Sequence, residues 1–141
     1  MIDEQVLELS ASKIDLHYDE LDTNAINFQH TNGYLSIQIQ IYIDEDNDPI
    51  ENETYFELDD ASTGEYISIQ KIHLSINQIS IDLSDFFCST YSKIILNLPH
   101  GLNKKIVGFL INHLFLGGVA AYDENFPEEL KVAQTEFREY L

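Results

Sequence analysis

Between residues 34 and 43 every second side chain is a large aliphatic: Leu35, Ile37, Ile39, Ile41 and Ile43 alternate with Tyr34, Ser36, Gln38, Gln40 and Tyr42. A period of two belongs to a β-strand with one buried face, and a helix would scatter these residues around its circumference. Register is tightly specified in such a strand, because a slip of one residue carries the whole apolar set into water. Ile39, in the middle, is therefore expected to be buried. Upstream, Ile26 and Phe28 alternate with Asn27 and Gln29, and Thr31-Asn32-Gly33 supplies residues that tolerate positive φ. Residues 25–43 read as a β-hairpin.

The same signals continue along the chain. Ile14 and Leu16 indicate a strand over Lys13–Tyr18, and Thr54–Leu58 resumes strand character after an acidic, turn-forming stretch. Ile67 and Ile69 alternate, but the next apolar residues are Ile72, Leu74 and Ile76. That change of phase near Gln70-Lys71 predicts a bulge. Asn77-Gln78 turns the chain into a strand carrying Ile79, Ile81 and Leu83, and Lys93–Leu98 forms another that Pro99-His100-Gly101 stops. From Leu102 the spacing becomes three and four, through Ile106, Phe109, Leu110, His113 and Leu114, until Gly117-Gly118. A second helix is expected from Pro127, with Glu128 and Glu129 in its first turn and Leu130, Ala133, Phe137 and Leu141 as its stripe. The expected fold is α+β: an antiparallel meander over residues 25–98 followed by helices near 102–116 and 127–140, packed on one face.

With 141 residues, 44% of them hydrophobic, the chain is expected to form a single domain, 1–141, with a continuous core. The run from Ile106 to Ala121 is short for a membrane span and is interrupted by Asn112 and His113. The start, Met1-Ile2-Asp3-Glu4, has neither the basic nor the apolar region of a signal peptide, so the expected location is cytoplasmic. Cys88 has no second cysteine to pair with and reads as a small buried hydrophobe.

Charge narrows the function. The 25 acids against 7 Lys and Arg give a net charge of -18, which disfavours direct contact with nucleic acid or an anionic membrane. The charge is also polarised. Residues 1–60 hold 16 acids and one base, Lys13, whereas residues 86–122 hold no acid and three lysines.

Specific chemistries find little support. Asp44, Asp46 and Asp48 match the first, third and fifth places of a calcium loop, but Pro49 stands where the glycine belongs and Tyr55 where the bidentate glutamate belongs. His17, His30, His73, His100 and His113 have no ligand spacing. Neither a metal nor another cofactor is expected. No nucleophile elbow, phosphate-cradling loop or dinucleotide fingerprint occurs. What remains is a binding surface for a basic protein, and its candidate residues are Asp44, Glu45, Asp46, Asp48, Glu51, Glu53, Tyr55, Glu57, Asp59 and Asp60. Aromatics within a charged field suit anchoring and steering. Charge reversal at Asp46, Asp59 and Asp60 is expected to slow association at no cost to folding.

The stretch from Tyr55-Phe56-Glu57-Leu58-Asp59-Asp60 to Gly64-Glu65-Tyr66, continuing through Ile69-Gln70-Lys71-Ile72-His73-Leu74 and Ile79-Ser80-Ile81-Asp82-Leu83, resembles bacterial immunity proteins of polymorphic-toxin systems. The resemblance is to contact-dependent inhibition immunity proteins and the Imm10-like group in particular. It implies a cytoplasmic, non-enzymatic inhibitor that binds the C-terminal domain of a toxin, commonly a nuclease, and it brings no catalytic residues. A nuclease holds phosphates on a positive surface, which an acidic inhibitor can occupy. Two alternatives stand beside it: an acidic secretion chaperone that binds an effector segment, and an enzyme acting on a cationic substrate.

Overall fold

A computed structural model of the chain describes residues 5–20, 23–40, 54–111 and 119–132. The alternating segment forms β4 (Gly33–Gln40), antiparallel to β3 (Thr23–His30), with His30 opposite Gly33 across the two-residue turn Thr31-Asn32. Ile39 is 2% exposed, as its place in the alternation requires. On one side of this hairpin lies β2 (Lys13–Glu20), and on the other β5 (Thr54–Leu58) and β6 (Glu65–Ile67). These five strands are antiparallel throughout, in the order β2-β3-β4-β5-β6.

The second sheet contains β1 (Val6–Ser10), β7 (Ile69–Ser75), β8 (Gln78–Phe87), β9 (Tyr91–Asn97) and β10 (Val119–Tyr122), in the order β1-β9-β8-β7-β10. Its centre is an antiparallel meander, and each edge strand is parallel to its neighbour. The chain passes between sheets at Ala11-Ser12, where the Ala11 N–H donates to the Asn97 carbonyl at 2.9 Å and the Ser12 N–H to the Gln29 carbonyl at 2.7 Å. The phase change foreseen near Gln70 is a register shift between Ile69 and Lys71.

Both sheets turn their aliphatic faces into one core. Ile26, Phe28, Leu35, Ile37 and Phe56 from the first meet Ile72, Leu74, Ile79, Ile81, Ile94 and Leu96 from the second. The rings of Phe56 and Phe87 touch across the interface with centroids 5.8 Å apart. Full burial of side chains this large stabilises the fold by about 1.5–3 kcal/mol each. This is the layered arrangement of a β-sandwich.

The expected α+β fold with two C-terminal helices is therefore corrected to a mainly β architecture. Among the described residues there are ten strands and one short helix, α1 (Lys104–Phe109), capped by the Asn103 side chain, which accepts from the Ile106 N–H at 2.9 Å. Of the first expected helix, 102–116, residues 112–116 lie outside the described part, and Val119–Tyr122, just beyond its expected end, forms β10 beside β7. The second expected helix gives way to a single 3-10 turn at Glu128–Leu130, after which Lys131 is extended. The Tyr122 hydroxyl explains the stop. It accepts from the Val132 N–H and donates to the Val132 carbonyl, both at 3.0 Å, which takes the groups that would continue a helix. Residues 133–141 lie outside the described part. Among the described residues no helix is long and apolar enough to cross a membrane.

Candidate functional site

Alternation that buries half of each strand presents the other half together on the outer face. On the β2–β6 sheet, register aligns these outward residues in rows. Lys13, Gln29 and Tyr34 form one row, and Asp15, Asn27, Ser36 and Glu57 the next. The third holds His17, Ala25, Gln38, Tyr55 and Tyr66. The middle row crosses three strand spacings, so its ends are roughly 14 Å apart at the backbone.

A groove of about 480 Å³ runs over this face, lined by Asp15, Asn27, Gln29, Gly33, Tyr34, Ser36, Gln38 and Glu57. Ser36 is only 4% exposed, and its hydroxyl accepts from the Gln38 amide at 3.0 Å. Glu57 is held from two sides: the Tyr55 hydroxyl donates to one carboxylate oxygen at 2.8 Å, and the Tyr34 hydroxyl donates to the other. The hydrogen bond to Glu57, followed by burial, pushes the Tyr34 hydroxyl up to about 12 and also raises that of Tyr55. Both phenols are thus kept as neutral donors. Tyr66 is 61% exposed and packs on Tyr55 with ring centroids 5.2 Å apart.

Two glycines allow this construction. A Cβ at Gly64 would lie 1.9 Å from the Tyr55 hydroxyl, and one at Gly33 would lie 2.1 Å from an Asp59 carboxylate oxygen. That oxygen of Asp59 accepts from the Tyr34 N–H at 2.9 Å and lies 2.7 Å from His30 Nε2. Asp59 itself has φ 64, a left-handed conformation that aspartate tolerates better than most residues. Asp60 caps the 3-10 turn at Ala61–Thr63 by accepting from the Ser62 N–H at 3.1 Å.

Comparison with family models, with curated proteins and with solved structures found no match.

Of the residues singled out by sequence, the structure brings Tyr55 and Glu57 together on the outer face and places Asp59 and Asp60 in the turn beyond β5. Asp44, Glu45, Asp46, Asp48, Glu51 and Glu53, with the calcium-like loop they belong to, lie outside the described residues. In sequence these six acids fall between β4 and β5. The expectation that charge reversal at Asp59 spares the fold is revised, because its carboxylate ties the end of β5 to the β3–β4 turn. Sequence reasoning missed Asp15, Asn27, Gln29, Tyr34, Ser36 and Gln38. The signal was the polar half of the alternation, whose apolar half assigned the strand.

The opposite sheet differs in charge. Its outward positions include Lys71 and Lys93, the latter 3.4 Å from Asp82, and α1 adds exposed Lys104 and Lys105. On the β2–β6 side the one lysine, Lys13, lies 3.6 Å from Asp15, and Glu57 has no cationic partner among the described residues. Glu8 and Asp82 stand on that opposite sheet too, so what separates the two sides among the described residues is the placement of the lysines, with Lys13 alone on the β2–β6 sheet.

Proposed function

We propose that this chain is a non-catalytic binding protein that recognises a basic polypeptide through the outer face of the β2–β6 sheet. The observation that carries this reading is the gathering of carboxylates and tyrosines there, Glu57 between Tyr34 and Tyr55 above all, while Lys71 and Lys93 lie on the other sheet and Lys104 and Lys105 on α1. Tyrosine anchors and carboxylates at the surface are the elements by which a surface binds and steers a cationic partner. The resemblance in residues 55–83 supports a specific role as a cytoplasmic immunity protein that occupies the positive surface of a toxin domain, such as a nuclease.

Co-expression with the C-terminal domain of a large secreted protein, where the neighbouring gene encodes one, tests this reading. The wild-type chain is expected to restore growth and bind the domain, with affinity falling steeply as salt rises. Asp15→Lys combined with Glu57→Lys should abolish protection, whereas Glu8→Lys on the opposite sheet should leave it intact. No binding at low salt, or protection that survives the double reversal, rejects it.

A further inference from the structure

The rigid setting of Glu57 bears on which basic side chain the surface takes. Its carboxylate is fixed by two phenol donors, so little freedom remains to be lost when a cation docks. Each oxygen keeps a lone pair beyond the one its tyrosine uses. The hydrogens of Tyr34 and Tyr55 are committed to Glu57, and one N–H of the Gln38 amide is committed to Ser36. At the carboxylate itself, open lone pairs remain while both phenol hydrogens are used. Ser36, almost fully buried in the groove wall, has Gln38 as its partner among the described residues and retains unused hydrogen-bonding capacity. The neighbouring row adds the Tyr55 and Tyr66 rings, with Tyr66 exposed.

A fixed carboxylate with open lone pairs and adjacent aromatic faces suit a ligand that is planar, cationic and a hydrogen-bond donor. An ammonium group meets the charge requirement, but it lacks the planar fork and the flat surface that stacks on a ring. A polyol could use the donors and acceptors of the groove wall, but it brings no positive charge to Glu57 and no flat face to the tyrosine rings. We infer that Glu57, with Ser36 below it and Tyr55 and Tyr66 beside it, is a seat for an arginine side chain of the partner. This rests on the reading of the outer face as the surface for a basic partner, and it adds a preference for guanidinium over ammonium.

Titration of the isotope-labelled chain with acetylated hexa-arginine and, separately, hexa-lysine, followed by nuclear magnetic resonance, tests the seat. Hexa-arginine is expected to bind about tenfold more tightly, with shifts centred on Ser36, Gln38 and the tyrosines. Glu57→Gln should remove most of that preference, and Glu8→Gln should leave it unchanged. Because Glu57→Gln alters two tyrosine contacts, Tyr66→Ala serves as a second variant that removes the stacking face and leaves the carboxylate in place. It should lower arginine affinity several-fold and lysine affinity little. Equal binding of both peptides on this face rejects the arginine seat and leaves the proposed function standing. Binding of neither peptide, or binding on the opposite sheet, rejects both.

Discussion

Asp59 shows how an acidic residue can serve structure rather than steering. One carboxylate oxygen bonds the Tyr34 N–H and the His30 ring while the backbone stays at positive φ. Asp59→Ala removes both contacts and is expected to cost about 1–3 kcal/mol in urea unfolding, and Gly33→Ala should be similarly costly because its Cβ displaces the same carboxylate. Asp60→Ala, which loses one capping bond, should cost about 1 kcal/mol. Unchanged stability in Asp59→Ala would contradict the role given to its carboxylate. Tyr34 carries a pH signature. An unfolded tyrosine gives up its proton near its ordinary value of 10, whereas folded Tyr34 holds its proton to about 12. The stabilisation is complete below pH 10 and is lost as pH rises through 12. Ultraviolet titration of Glu57→Gln should show two tyrosines, Tyr34 and Tyr55, ionising at lower pH than in the wild type, and identical curves would exclude the Glu57 bonds as the cause.

Elements were legible where pairing is local. The β3–β4 hairpin, β5 and the bulge before Ile72 follow from alternation and turn chemistry in adjacent residues. The parallel edge strands were not legible, because β1 pairs with β9 and β10 with β7 across long stretches of chain, with no hairpin turn to announce them. Val119–Tyr122 continues an apolar run that periodicity alone cannot divide into helix and strand. The second helix does not start at Pro127 for a tertiary reason: Pro127, Glu128 and Glu129 are good first-turn residues, but the Tyr122 hydroxyl captures both main-chain groups of Val132. Tyr122→Phe leaves those groups unsatisfied and is expected to destabilise the chain by about 1–3 kcal/mol. A loss in urea unfolding close to zero would mean that the segment after Phe126 is not held by this hydroxyl. As for the site, sequence identified Tyr55 and Glu57 by their place in an acidic region. It missed their neighbours because Ser36, Gln38 and Asn27 become a surface only once register aligns three strands.

At the scale of the whole molecule, the sandwich converts a gradient along the sequence into two unlike faces. The acidic first half supplies all of the β2–β6 sheet up to Leu58, while Lys71 and Lys93 fall on the other sheet and Lys104 and Lys105 on α1. On the proposed reading a partner with a positive surface is drawn more strongly to the first face than to the second, so charge biases orientation as well as encounter rate. Carboxyl footprinting of the chain bound to a basic polypeptide such as acetylated hexa-arginine tests this most directly, since it reads individual acids with no substitution. Glu57 and Asp15 are predicted to lose reactivity on binding while Glu8 and Asp82 keep theirs. Protection of Glu8 and Asp82 with Glu57 unchanged would place the contact on the opposite sheet and contradict the account.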